Sequence, residues 1–174
     1  VFGTVWPEGE GDSRKVYNGV VVADAGKVLG VRFKVDLPNY GVFDESRYFH
    51  PGRTLPVVTL RGATVGLNVC EDIWFPDGPT RLQAAAGADI IININASPFQ
   101  IGKSRIREQM LATRARENGV IVTYTNTVGG QDELVFDGNS LVLDQNGAVI
   151  ARAKAFQEDF ILADLNVDAV MRHR

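Results

Sequence analysis

The stretch Asp89-Ile90-Ile91-Ile92-Asn93-Ile94 is almost uniformly apolar and shows no alternation of polar and apolar residues. Because successive side chains of a strand point to opposite faces, such a run predicts a strand that is buried on both faces. A helix is predicted on each side of it, over Pro79–Ala86 and over Ser104–Asn118, followed by a strand over Val120–Thr125. Strands and helices that alternate in this order are typical of an α/β fold.

Outside this segment, paired strands with tight connections predict three hairpins. Each pair is separated by a turn that contains glycine: Val20–Ala23 with Val28–Val35, Val57–Leu60 with Ala63–Cys70, and Ser140–Asp144 with Ala148–Ala151. A last strand is predicted over Phe160–Ala163. Since hairpins make antiparallel neighbours, we predict a mixed sheet, or two stacked sheets with outer helices, in a single domain.

Composition limits the kind of protein and its partners. The 174 residues are 45% apolar and 22% charged, which is typical of one soluble globular domain. No apolar run reaches the roughly 18 residues of a membrane span. Eighteen Lys and Arg against 21 Asp and Glu give a net charge of −3, without the concentrated positive charge that nucleic acid or anionic lipid requires. We therefore expect no nucleic-acid partner and no membrane partner.

Cys70 is the only cysteine, and it follows a predicted strand. Reactive groups of α/β proteins gather at the carboxyl ends of strands, so this residue is either a nucleophile or a buried structural cysteine. A free thiol has a pKa of about 8.5 and is mostly protonated at neutral pH, so a nucleophilic cysteine needs a base or a nearby cation. His50 and His173 are the only histidines, and neither lies at a predicted strand end. A lone cysteine also agrees with a reducing, cytoplasmic setting.

Two lysines are candidates for the charged groups of a site. If Lys34, near the end of a strand, faces a closed site, its ammonium could stabilise a thiolate and an oxyanion. The alternative is a solvated strand face that it shares with Arg32 and Asp36. Lys103 lies at the start of a predicted helix, where the helix dipole disfavours a cation. It is either exposed or bound to an anion such as the carboxylate of a small substrate.

Two connections are rich in glycine, aromatic residues and carboxylates, namely Leu37–Glu45 and Val128–Leu134. Such a composition suits a shaped pocket, although surface turns also have it. Gly129-Gly130 is not a phosphate-binding loop, because the Lys-Ser/Thr that should follow is absent. No spacing typical of metal ligands occurs, so no metal site is predicted.

Several motifs occur together in one order: Lys34 with Leu37–Glu45, then Asn68–Trp74, then Asn93–Phe99. In this combination they resemble the nitrilase superfamily of carbon-nitrogen hydrolases. Within that superfamily, Thr125–Gly138 is similar to the glutamine amidotransferase domains of glutamine-dependent NAD synthetases. The resemblance extends over nearly the whole chain and implies a four-layer α-β-β-α sandwich.

The resemblance also implies a mechanism with a Cys-Glu-Lys triad. Cys70 matches the nucleophile that attacks the side-chain amide of glutamine, and Lys34 matches the lysine that stabilises the oxyanion. Glu45 matches an additional carboxylate that supports the triad. Residues that contact the substrate or line its pocket in relatives match Tyr40, Ser97, Lys103, Glu71 and Trp74 of this sequence.

The general-base glutamate of the family has no counterpart here, since Glu8, Glu10 and Asp12 do not resemble its motif. We therefore expect residues 1–174 to be one carbon-nitrogen hydrolase domain, incomplete at its N-terminus, with weak or no activity in isolation. The resemblance implies glutamine, a synthetase domain and further copies in a homo-oligomer as partners. It implies no cofactor for the glutaminase domain. ATP and magnesium are expected only in the synthetase domain, which would use the ammonia to amidate deamido-NAD.

Two other functions compete with this interpretation. A stand-alone amidase of the same superfamily would act on another amide. A catalytically dead module would retain the fold and serve binding or assembly. The resemblance favours the glutaminase over these two alternatives.

Overall fold

The computed structural model describes residues 1–173, which form eleven strands and three α-helices. The strands are β1 (Phe2–Glu8), β2 (Lys15–Asp24), β3 (Lys27–Phe33), β4 (Val57–Leu60), β5 (Ala63–Val69), β6 (Ile90–Asn95), β7 (Ile121–Asn126), β8 (Val128–Gln131), β9 (Leu134–Asp137), β10 (Leu141–Leu143) and β11 (Val149–Arg152). The helices are α1 (Pro79–Ala85), α2 (Lys103–Asn118) and α3 (Val167–His173). No helix among residues 1–173 combines the length and the apolarity needed to cross a membrane.

A six-stranded mixed sheet in the order β11-β10-β7-β6-β5-β4 forms the centre of the structure. Strands β5, β6 and β7 are parallel, whereas β4, β10 and β11 join by antiparallel pairing. Strands β1, β2 and β3 form a separate antiparallel sheet, and β8 pairs with β9. The predicted mixture of α/β units and hairpins is therefore confirmed.

The two faces of the central sheet have separate cores. On one face Ile91 and Val122 pack with Leu111 of α2, and on the other Ile90 packs with Val20 of the three-stranded sheet. The neighbouring residues Ile90 and Ile91 thus point to opposite cores, which confirms that β6 is buried on both faces. Helices α1 and α2, the central sheet and the second sheet form an α layer and two β layers of the predicted sandwich.

The segment Phe160–Ala163 is not a strand, so that prediction is wrong. Its backbone forms no ladder with any strand of residues 1–173, and Phe160 and Leu162 each expose 84% of their surface. An apolar run becomes a strand only where a neighbour accepts its backbone hydrogen bonds.

Three observed elements were not predicted. The connection Val128–Leu134 belongs to the β8–β9 hairpin, whose turn places Asp132 at a φ of 50°. Strand β1 forms because its backbone pairs with β2, although Gly3 and Pro7 interrupt its pattern. Helix α3 contributes the buried Val170 to the core between the sheets. In all three segments tertiary packing outweighs weak local preference.

Candidate active site

Cys70 lies directly after β5, at the first residue of a 3₁₀ turn that extends to Ile73. Its φ is +46°, a left-handed conformation that residues other than glycine seldom adopt and that the surrounding structure must impose. The amide of Asn93, on the adjacent strand β6, donates a 3.4 Å hydrogen bond to the Cys70 carbonyl. The predicted position at a strand end is confirmed, and the sharp turn places the side chain between two cavities.

The first cavity has a volume of about 320 Å³ and brings together the residues matched to substrate binding. Besides Cys70, it is lined by Tyr40, Glu71, Trp74, Ser97 and Lys103. The connection 37–45 and the start of α2 thus converge on the cysteine. Apolar residues complete the wall, namely Phe99 together with Phe43 and Leu134, which belong to the two connections predicted to suit a shaped pocket.

The second cavity, of about 280 Å³, contains the other two candidate catalytic residues. Lys34 lies just beyond β3 with 1% of its surface exposed, and its ammonium is 2.5 Å from the carboxylate of Glu45. The alternative of a solvated strand face is therefore wrong. Asn18 of β2 also donates to Glu45, at 3.5 Å, and was not foreseen because it lies within an ordinary strand.

Burial dominates the acidity of the cysteine. It raises the pKa of Cys70 to about 11, against the effect of the Lys34 ammonium, which lowers it. The carboxylates of Glu71, Glu45 and Asp72 act in the same direction as burial, and the value of about 11 includes their effect. The thiol is consequently protonated at neutral pH, and a nucleophilic role requires transfer of its proton to a base.

The first cavity holds charged groups of both signs. The hydroxyl of Tyr40 donates a 2.5 Å hydrogen bond to Glu71, and burial together with this carboxylate raises the pKa of the phenol. Across the cavity, burial and the neighbouring Arg107 lower the pKa of Lys103. A carboxylate and an ammonium in one pocket are complementary to a zwitterion such as a free amino acid.

Buried polar contacts behind this pocket fix its lining. Asn126 of β7 accepts a 2.9 Å bond from the Ser97 amide and donates to the carbonyl of Gly138 at 3.1 Å. Arg107, one turn beyond Lys103 on α2, forms a buried 2.5 Å ion pair with Asp137 of β9. Local sequence patterns do not predict these supports, since the partners are between 12 and 30 positions apart in the chain.

Other candidate chemistry finds less support. His50 lies against the ring of Tyr17 and lines neither cavity, so no dyad with Cys70 forms through it. The side chain of His173 lies outside the described residues. Within the part of the chain that the structure describes, no group of three or more His, Cys, Asp and Glu side chains is arranged to hold a metal ion.

Comparison with known proteins places this geometry in a family. The carbon-nitrogen hydrolase family model matches residues 1–174. The glutamine-dependent NAD(+) synthetase of Aquifex aeolicus is 46% identical over 159 residues, 91% of this chain and 28% of that protein. The structure of glutamine-dependent NAD+ synthetase from Acinetobacter baumannii in complex with ADP is 40% identical with a TM-score of 0.84, covering 91% of this chain and 29% of that one.

A solved amidase from Nesterenkonia sp. AN1 is 31% identical, with a TM-score of 0.76 over 98% of this chain and 65% of the amidase. That structure, of a mutant, shows acrylamide added at the active site cysteine of the amidase. The present chain spans 28% of the length of the Aquifex relative. Because the family model covers every residue and the α/β fold agrees, the chain belongs to the carbon-nitrogen hydrolase family.

Proposed function

We propose that the chain is the glutaminase part of a glutamine-dependent NAD synthetase and releases ammonia from glutamine at Cys70. The observation that carries this proposal is the position of one strained cysteine between the Lys34–Glu45 pair and a pocket that holds Glu71 and Lys103. Relatives of that name support the choice of substrate.

The proposed reaction has two stages. A base removes the Cys70 proton, and the sulfur attacks the side-chain amide carbon of glutamine while Lys34 stabilises the oxyanion. The carbon-nitrogen bond then breaks, and the nitrogen takes a proton and leaves as ammonia. Water attacks the remaining thioester, which releases glutamate and restores the thiol.

The first cavity would bind the backbone groups of the amino acid. Lys103 would bind the α-carboxylate, and Glu71, oriented by the Tyr40 hydroxyl, would bind the α-ammonium. Ser97 and Trp74 would border the side chain that leads to Cys70. This polarity directs the amide, the uncharged end of glutamine, towards the nucleophile.

We expect the chain alone to hydrolyse glutamine weakly or not at all. The three carboxylates whose charge acts on Cys70 already have donors: Glu45 binds Lys34, Glu71 binds Tyr40 and Asp72 binds Arg32. With a pKa of about 11, only about one thiol in 10⁴ is ionised at pH 7. An assay of glutamate release checks this expectation. Robust turnover would show that Glu45 or another of these carboxylates serves as the base.

The ammonia would be consumed by a synthetase domain, which would amidate deamido-NAD with ATP and magnesium. The glutaminase part itself would need no cofactor, because Lys34 and the thiol supply the electrostatic and nucleophilic groups. We further propose a homo-oligomer and a cytoplasmic location for the enzyme.

A glutamine analogue with a chloroketone in place of its amide tests the proposed function. We expect a single mass increase on Cys70, and no adduct in the Cys70→Ala variant. Excess glutamine should slow the labelling, whereas in the Lys103→Met variant this protection should be at least about tenfold weaker, because a charge-assisted bond to the carboxylate is lost. No adduct on folded protein would instead favour a catalytically dead binding module.

A stand-alone amidase is the second candidate, favoured by the likeness to the Nesterenkonia amidase. The same labelling experiment separates the two functions. Protection by acetamide or propionamide, and none by glutamine, would assign an amidase for small amides and would exclude the glutaminase.

A further inference from the structure

The carboxylate of Asp72 is completely buried and accepts four hydrogen bonds. Its Oδ1 accepts from the backbone amides of Val35 and Asp36, both at 3.0 Å. Its Oδ2 accepts from the backbone amide of Val69 at 3.0 Å and from the guanidinium of Arg32 at 2.7 Å. The carboxylate thus contacts two chain segments that are more than 30 positions apart.

These bonds join the segments that carry Lys34 and Cys70. Val35 directly follows Lys34, and Val69 directly precedes Cys70. The two segments extend from β3 and β5, which belong to different sheets. No strand ladder therefore sets their separation, and the Asp72 carboxylate forms a direct link between them.

The ion pair between Asp72 and Arg32 also indicates that the carboxylate serves to link these two segments. Both side chains are fully buried, and Nε and Nη2 of Arg32 have no hydrogen-bond partner in the described residues. A buried ion pair with unpartnered donors is a poor source of stability compared with apolar packing. It does hold the carboxylate in one orientation, in which Oδ1 faces the segment after Lys34 and Oδ2 lies between Arg32 and the backbone amide of Val69.

We propose that Asp72 is a positioning residue that sets the placement of the Lys34 ammonium relative to the Cys70 sulfur. This inference rests on the proposed role of Cys70 as a nucleophile. Its test measures the reactivity of the thiol rather than hydrolysis, so that failure of the inference and failure of the proposed function remain distinguishable.

The direction of the change in the alkylation rate distinguishes a positioning role of Asp72 from a direct effect of its charge on Cys70. The charged groups with the largest effect on Cys70 are Lys34, Glu71, Glu45 and Asp72. Lys103 and the titratable Tyr40, which line the first cavity, also interact with the cysteine. Because the charge of Asp72 raises the pKa of Cys70, its removal alone would make the thiol more acidic and faster to alkylate. Displacement of Lys34 would raise the pKa and slow alkylation.

The test is the rate of Cys70 alkylation by iodoacetamide in the whole chain, measured against pH. We expect Asp72→Asn to slow the reaction about tenfold at neutral pH and to shift its pH profile upward by about one unit. Asp72→Glu, which keeps the charge but moves the carboxylate, should shift it in the same direction. In a Lys34→Met background only the direct charge effect of Asp72 on Cys70 remains, so Asp72→Asn should no longer slow the reaction and should leave it unchanged or faster.

Asp89→Asn is the matched control. Asp89 is also a buried carboxylate that accepts from a backbone amide, that of Thr64 at 2.9 Å, but it lies at the opposite end of β5 from Cys70. This variant should alkylate within about twofold of the parent chain.

Three results would overturn the proposal. The first is an unchanged or faster reaction in both Asp72 variants, and the second is an equal slowing with and without Lys34. The third is unfolding of both variants. Circular dichroism would show it, and their thiols would then react as fast as the thiol of the parent chain unfolded in urea. Asp72 would in that case have a structural role only.

Discussion

Replacement of Lys34 by methionine is expected to slow alkylation of Cys70 by about 100-fold at neutral pH. The ammonium is the cation that lowers the pKa of this buried thiol, and it lies in the same cavity. Loss of an opposite charge at such a distance shifts a pKa by about one to three units, and the thiolate fraction falls in proportion. Methionine retains most of the apolar stem of lysine, so the space that the Lys34 side chain occupies remains filled.

The electrostatics of Glu45 add to this effect. Without Lys34 its carboxylate loses the 2.5 Å ion pair and faces the thiol as a repulsive charge. The double variant Lys34→Met with Glu45→Gln should therefore recover part of the rate. Alkylation that is quenched at set times and analysed by mass spectrometry measures the rate for both variants across pH.

Lys154→Met is the control for a general change in charge, because this lysine exposes 65% of its side chain and lines neither cavity that borders Cys70. We expect its alkylation rate to stay within about twofold of the parent chain. If Lys34→Met behaved like this control, Lys34 would not stabilise the thiolate, and its assigned part in the reaction would fail.

The sequence predicts the local elements better than their contacts. Each strand from β4 to β7 and both helices between them follow from hydrophobic runs and from glycines that end helices, which act over a few neighbouring residues. The same local pattern places Cys70 at a strand end. It cannot show that Lys34 is buried, because an alternating strand with Arg32 and Lys34 on one face has the pattern of a solvated surface.

Helix α2 shows most clearly which contacts local sequence patterns do not predict. A helix that packs on a core normally has an apolar stripe, but here Arg107 and Arg114 lie on the buried side. Arg114 donates to the carbonyls of Ile73 and Trp74 at 3.1 and 2.9 Å, and so supports the turn that follows Cys70. Such a role depends on a partner about 40 positions away, which no spacing within the helix reveals.

The largest effect on stability is expected for Arg107→Met, which should lower the free energy of unfolding by about 3 to 5 kcal/mol. Both side chains of the Arg107–Asp137 pair are 2% exposed, so the variant leaves an uncompensated carboxylate in the protein interior. The loss is a large fraction of the total for a domain of this size, for which about 5 to 15 kcal/mol is typical. Urea unfolding followed by circular dichroism measures it.

Two further variants show whether the unpaired charge is the cause. Arg107→Met with Asp137→Leu removes both charges and should recover most of the lost stability, since apolar side chains can replace a buried pair at little cost. Arg81→Met, which breaks the exposed pair with Asp77, should cost less than about 1 kcal/mol. Equal destabilisation of the single and double Arg107 variants would assign the effect to lost packing. Asp137 precedes Gly138, whose carbonyl accepts a hydrogen bond from Asn126 behind Ser97. The single variant should therefore also weaken the protection of Cys70 by glutamine, and the double variant should regain stability and protection together.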